Sequence, residues 1–207
     1  MSLFAVTELA CVRGDRPLFR NLSFELESGQ LLHITGQNGC GKTTLLRTLC
    51  GLSQSAQGQV LWQDQPIRDQ GDEYFDALHF VGHANAIEGE VNALEQLRFN
   101  IKLGGGMPSK SPEEALEYLG LSPYRYLPTK LFSQGQQRRL ALARLLVVKK
   151  PLWILDEPFT ALDHATVKLM EQLLSDHVAT GGMVILTSHQ ILSLANSREI
   201  KLDQYHA

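Results

Sequence analysis

The chain has 207 residues, 43% of them hydrophobic and 20% charged, with a net charge of −3. That length and balance suit one globular domain, or one domain with a smaller unit inserted, and the acidic balance excludes the basic field that a nucleic-acid binder needs. No apolar run is long enough to cross a bilayer, residues 1–10 lack a signal-peptide pattern, and Cys11, Cys40 and Cys50 are too few for a disulfide framework and are not spaced as metal ligands, so a cytosolic location is expected.

Residues 3–35 read as strands joined by turns at Gly14-Asp15-Arg16-Pro17 and Glu27-Ser28-Gly29. Within them Leu22-Ser23-Phe24-Glu25-Leu26 alternates as a half-buried strand should, and Leu31-Leu32-His33-Ile34-Thr35 reads as a buried one. A helix is expected over 44–49, with Leu45, Leu46 and Leu49 on one face and Gly51 as its stop. Short strands follow at 58–62 and 78–81.

From about 84 to 130 the pattern becomes helical, with Val91, Leu94, Leu97 and Ile101 on one face and a break at 104–108. Ser111-Pro112-Glu113-Glu114 then opens a second helix, with serine as cap and proline at the first position. The stretch reads as a small helical insertion between two parts of an α/β core, 1–83 and 131–207. The core resumes with a helix over 134–149, an apolar strand at 152–155 running into Asp156-Glu157, an amphipathic helix over 166–178, and a buried strand at 183–186 that ends at Thr187-Ser188-His189. Strands alternating with helices predict a parallel sheet covered on both faces.

The chemistry centres on Gly36-Gln37-Asn38-Gly39-Cys40-Gly41-Lys42-Thr43, with Thr44 opening the helix. The spacing fits G-x-x-x-x-G-K-[ST], and the strand, loop and helix order is the setting that motif requires. Its glycines let several N–H groups converge on a phosphate at a helix N-terminus. Lys42 is placed to reach the outer phosphates of a nucleoside triphosphate, and the Thr43 hydroxyl to ligate Mg²⁺. Asp156 ends a buried strand, where a carboxylate can hold Mg²⁺ directly or through water, and Glu157 is suited to polarise an attacking water. Ser133 reads as a helix N-cap, and the same geometry also makes an anion site. Cys40 lies near Lys42 and a helix N-terminus, neighbours that favour a thiolate, so its alkylation is expected to block turnover and ATP to protect it. His33, His79, His164, His177 and His206 show no ligand-like pairing, and Trp62 and Trp153 read as core.

Five motifs together carry a resemblance. The 36–43 loop, Phe132-Ser133-Gln134-Gly135-Gln136, residues 152–157, Thr160-Ala161-Leu162-Asp163 and His189 stand in the order and spacing of the Walker A, signature, Walker B, D-loop and switch-histidine motifs of ABC-transporter ATPase subunits. Phe80-Val81-Gly82-His83, residues 134–139, residues 153–163 and Ser188-His189-Gln190 look like the Ccm-type ATPases of bacterial cytochrome c maturation, which serve haem export.

The resemblance implies an α/β fold: a P-loop NTPase core with a mostly parallel sheet, an N-terminal antiparallel β part and the helical insertion. It implies an ATPase working with Mg²⁺ as a head-to-tail homodimer, each ATP held between residues 36–44 of one copy and Ser133, Gly135 and Gln136 of the other. Glu157 would be the general base, His189 would contact the γ-phosphate and water, and Asp163 would link the two sites. Integral-membrane permease subunits would be the partners, docking near residues 84–100 at the cytoplasmic face of the inner membrane. The cargo is open between haem and a loaded haem carrier, and no residue reads as a haem ligand. A soluble ABC-type ATPase, as in iron–sulfur assembly, is the alternative.

Two positions depart from the family. Arg13 stands where an aromatic residue stacks on adenine, a role a planar guanidinium can also take. His83 stands where a glutamine usually senses Mg²⁺. A neutral imidazole accepts from a metal-bound water and a protonated one cannot, so coupling is expected to respond to pH.

Overall fold

The computed structural model describes residues 3–14, 16–105, 107–189 and 197–206. Asp15, Gly106 and Gln190, read from the sequence as part of a turn, a break and the Ser-His-Gln motif, lie outside the described residues.

The chain opens with β1 (Phe4–Arg13) and β2 (Arg16–Leu26), an antiparallel pair, then β3 (Leu31–Thr35) and α1 (Lys42–Leu49). β4 (Gln57–Trp62), β5 (Gln65–Pro66), the short helices α2 (Ile67–Gln70) and α3 (Asp72–Ala77), and β6 (Leu78–Val81) follow. Next come α4 (Ala93–Leu103), β7 (Met107–Pro108), α5 (Pro112–Tyr118) and α6 (Gln134–Val147). The chain continues with β8 (Val148–Lys149), β9 (Leu152–Asp156), α7 (His164–Ala179), β10 (Met183–Thr187) and β11 (Ser197–Lys201). One sheet is antiparallel, in the order β2-β1-β4-β5; the other is parallel, in the order β11-β3-β10-β9-β6.

Period-two alternation builds the two cores on either face of the parallel sheet. In β9, Leu152 and Ile154 pack with α1 and the antiparallel sheet, through Leu45, Leu49, Phe4 and Val60. Trp153 and Leu155 face the other way, onto Leu97, Leu116, Leu142 and Leu146 of the helical side. Every residue of β9 and β10 is buried, which explains their unbroken apolar runs.

The sequence expectation for 134–149 needs one correction. The helix stops at Val147, because Val148 and Lys149 pair antiparallel with Pro108 and Met107 across the expected break. Helices α2 and α3 were not foreseen either; they are one or two turns long and too short to show a period.

Candidate active site

Three adjacent strands of the parallel sheet deliver the site. The carboxyl ends of β3, β10 and β9 lie flush, with Thr187 in register with both Ile34 and Asp156. β3 runs into the glycine loop, β9 into Glu157, and β10 into Ser188 and His189. Ligands of open α/β sheets bind at this edge.

The loop is shaped for an anion. Gly36, Gly39 and Gly41 have φ of 150, 84 and 108, a region side chains disfavour. The buried Lys42 Nζ donates to Gly36 O at 2.7 Å and Gln37 O at 3.2 Å, curling the loop around its own ammonium. Helix α1 starts at Gly41 with no side-chain cap, whereas α4, α5, α6 and α7 are capped by Asn92, Ser111, Ser133 and Asp163. A helix N-terminus that no side chain caps is suited to an anion such as a phosphate.

Asp156 is 2% exposed and its two oxygens are divided between two hydroxyls. Thr43 Oγ1 donates to Oδ2 at 2.9 Å and Thr187 Oγ1 to Oδ1 at 2.8 Å. The same Thr187 oxygen accepts from the Glu157 N–H at 3.0 Å, so one threonine fixes both acids. Thr43 and Asp156 form a pair of hard oxygen donors that fits Mg²⁺. His83 is exposed beside them, where an imidazole reaches a hard ion through water rather than as a ligand.

Glu157 has φ of 49, unusual for a residue with a side chain. Its Oε1 is buried and has no hydrogen bond, with His189 Nε2 3.5 Å away. A buried carboxylate oxygen left without a donor is costly, and it is ready to accept from a water. His33 steadies the far side: its Nε2–H donates to Ser188 O at 3.0 Å, next to His189.

One cavity of about 400 Å³ brings together Arg13, Asn38, Gly39, Gly41, Lys42, Thr43, Thr44, His83, Asp156, Glu157 and His189. Gly36 and Gln37 are not among its lining residues; the Gln37 N–H donates to the Asp203 carboxylate at 3.1 Å, a contact no sequence motif announces.

Ser133, Gly135, Gln136 and Asp163 do not line this cavity. Ser133 and Gln136 form a reciprocal cap at the start of α6, Ser133 N–H donating to Gln136 Oε1 at 2.8 Å. Asp163 caps α7 through the Thr166 N–H at 2.7 Å, and that bond holds its carboxyl below its ordinary pKa. Gly135 packs so closely that a Cβ would lie 2.8 Å from Ala161 O.

The expectation of a Cys40 thiolate is overturned. Its side chain turns into the core beneath Gly36, and burial pushes the thiol up, outweighing the pull of Lys42. Its backbone still belongs to the loop.

Sequence reasoning missed Arg138. This buried guanidinium donates from Nη2 to Asp156 O at 2.7 Å and Glu157 O at 2.8 Å, from Nε to Pro158 O at 3.3 Å, and from Nη1 to Gly82 O at 2.8 Å and Asn85 Oδ1 at 3.2 Å. It joins the helix begun by Ser133 to both acids and to the loop bearing His83. Its place in the Arg138-Arg139 pair was visible in sequence, but which arginine turns inward was not.

A family model for ABC transporters matches residues 19–160. A cytochrome c biogenesis ATP-binding export protein CcmA from Nitrosococcus oceani is 47% identical over 95% of this chain and 90% of its own. Its namesake from Escherichia coli K12 is 46% identical over the whole of both chains. Among solved structures, the ATP-binding cassette MJ0796, a post-hydrolysis dimer bound to ADP and Pi, superposes with a TM-score of 0.82 at 22% identity, covering 96% of this chain and 94% of that one. The glycine loop, the two acids after β9 and His189 are therefore found in a chain that belongs to the ABC transporter family, among the ATP-binding export proteins of the CcmA group.

Proposed function

We propose that the chain is the ATP-hydrolysing subunit of an ABC export complex serving cytochrome c biogenesis. The observation that carries the catalytic part is the buried, undonated Glu157 Oε1 beside His189, in the cavity of the anion-shaped loop. A water there gives its proton to Glu157 while its oxygen bonds the γ-phosphorus. The bond from that phosphorus to the bridging oxygen breaks, and ADP leaves with the electron pair. Lys42 and the first N–H groups of α1 neutralise the phosphate charge, and His189 orients the water. Thr43 and Asp156 would hold Mg²⁺, which supplies charge neutralisation at the phosphates when bound. Arg13 stacks on the base.

The sites are completed by a second copy. Ser133, Gly135 and Gln136 of one copy face the phosphates held by the other, and Asp163 lies at the junction. The partners are integral-membrane permease subunits at the cytoplasmic face of the inner membrane, and the helical part from about 84 to 130 carries their dock. No helix among the described residues is long and apolar enough to cross a membrane, which suits a peripheral subunit. The cargo is haem or a loaded haem carrier. A soluble ABC-type ATPase without a transport role is not favoured, since the named relatives at 44–47% identity are export proteins.

ATPase assays of the purified chain and of Glu157→Gln test the catalytic reading. The variant is expected to lose about a hundredfold or more in turnover while still binding ATP. Turnover within twofold of the parent would remove Glu157 from the role.

A further inference from the structure

The last described stretch of the chain lies against the phosphate loop. Strand β11 runs parallel to β3, with Lys201 in register with Thr35, and Thr35 Oγ1 donates to Glu199 Oε1 at 2.7 Å. A 3₁₀ turn, Leu202–Tyr205, follows. Leu202 is buried in the core cluster that holds Leu18, Phe19 and Cys40, and His206 bridges to Phe19 of β2. That anchoring sets Asp203 beside Gly36 and Gln37, the first two residues of the loop.

Asp203 meets the loop at one peptide group. The Gln37 N–H donates to both of its oxygens, with Oδ1 at 3.2 Å and Oδ2 at 3.1 Å. The carbonyl of that same peptide, Gly36 O, accepts from Lys42 Nζ at 2.7 Å. The N–H and C=O of a trans peptide point in opposite directions, so a carboxylate pulls on one side and an ammonium on the other. Hydrogen bonds chained through one amide polarise each other, and both of these are charge-assisted. Gly36 leaves little slack: its φ is 150, and a Cβ there would stand 2.8 Å from Cys40 Sγ and 3.2 Å from Asp203 Oδ2. Gln37 O in turn accepts from Lys42 Nζ at 3.2 Å and from the Cys40 N–H at 3.3 Å.

We infer that Asp203 is a positioning residue for ATP binding: its carboxylate fixes the Gly36–Gln37 peptide, so that Gly36 O holds Lys42 in place before the nucleotide arrives. The inference rests on the reading of the loop as the ATP phosphate site. Asp203 does not line the ATP cavity, so it acts through the loop. A loop ordered in advance loses less freedom on binding, which favours the bound substrate and the transition state alike. The effect therefore belongs in Kd and KM rather than in kcat. A carboxylate near a phosphate site also repels it, but Asp203 is exposed, and solvent and salt screen that repulsion.

The test compares Asp203→Asn and Asp203→Ala with wild type by calorimetric binding of ATP with Mg²⁺, steady-state ATPase kinetics and thermal melting of the purified chain. Because Asp203 is exposed, neither substitution removes core packing. Asp203→Ala is expected to raise Kd and KM for ATP about fivefold, with kcat at saturating ATP within about twofold of wild type. Asp203→Asn keeps an oxygen acceptor for the Gln37 N–H, and its Kd should return to within about twofold of wild type. In isotope-labelled protein the Gln37 amide proton should resonate further upfield in Asp203→Ala than in wild type, having lost its charged acceptor, with Asp203→Asn between them.

Unchanged Kd and KM in Asp203→Ala overturn the inference and leave the ATP reading standing; a fall in melting temperature alone makes Asp203 a structural clasp for this segment. Tighter ATP binding by Asp203→Ala overturns it too, since the carboxylate then acts as a repelling charge. So does Asp203→Asn binding as poorly as Asp203→Ala, which takes the effect away from the hydrogen bond, or a Gln37 amide resonance that stays put in Asp203→Ala. If Asp203→Ala does not fold, Asp203→Ser stands in for it, with the same expected and contrary results. Failure of the wild type to bind ATP brings down the ATP reading itself, and this inference with it.

Discussion

Glu157 holds a left-handed backbone conformation at the end of β9, fixed by its N–H bond to Thr187 and by Arg138 on its carbonyl. Such a backbone costs about 1 kcal/mol or more, and the surrounding bonds hold it in place. Arg138 is therefore a positioning residue. Arg138→Met leaves four carbonyls and Asn85 without their donor, and it should cost about 2–4 kcal/mol in denaturant unfolding together with a fall in kcat. Arg138→Lys, retaining charge but not the fork, should recover part of the stability and less of the kcat. A methionine variant with unchanged kcat would show that the guanidinium supports the fold alone. At Cys40 the buried thiol should react with a maleimide about tenfold more slowly than a free thiol at the same pH, ATP or no ATP. Rapid labelling that ATP blocks would restore the thiolate expectation. Sequence could reveal the loop that holds Cys40, because the motif spacing is local. It could not reveal which way the side chain turns, because Asp203 and Gly36 meet it only in three dimensions.

Element by element, the long periodic segments were legible. The apolar runs at 31–35, 152–155 and 183–186 became buried parallel strands, and the Ser111 and Ser133 signals became capping boxes. The ends of elements were less legible where a tertiary partner decided them, as when β7 converts the tail of a helical run into β8. Two histidines set the response of these elements to acid. His79 on β6 donates to Val148 O at 2.8 Å and is pushed by burial down to about 3, and His177 stacks on Trp153 at 3.7 Å and is pushed down to about 4. Their unfolded value is about 6.5, so below it the unfolded chain takes up protons the folded chain refuses. Stability is full above about pH 6.5 and falls toward pH 4, approaching about 2.7 kcal/mol per pH unit when both contribute. Urea midpoints at pH 7 and pH 5 check this, and His79→Gln, which keeps the donor without the titration, should flatten the slope. An unchanged slope would place the acid sensitivity elsewhere.

At the scale of the molecule, the groups proposed to share one nucleotide do not line one cavity. The phosphate loop and the acids line one cavity, while Gly135 and the capping residues Ser133, Gln136 and Asp163 lie outside it. Motif order in the sequence could name these groups and the family, but only the geometry shows that a single chain does not bring them together. Size-exclusion chromatography of Glu157→Gln should shift from monomer to dimer on adding ATP, and a further Ser133→Arg substitution should abolish the shift while nucleotide binding persists. A dimer that forms equally without ATP would argue against nucleotide as the glue. The central claim is tested most directly by recovering tagged Glu157→Gln from detergent-solubilised membranes with and without ATP and identifying what comes with it. The account predicts an integral-membrane subunit of cytochrome c biogenesis; a dimer free of any membrane protein would contradict it.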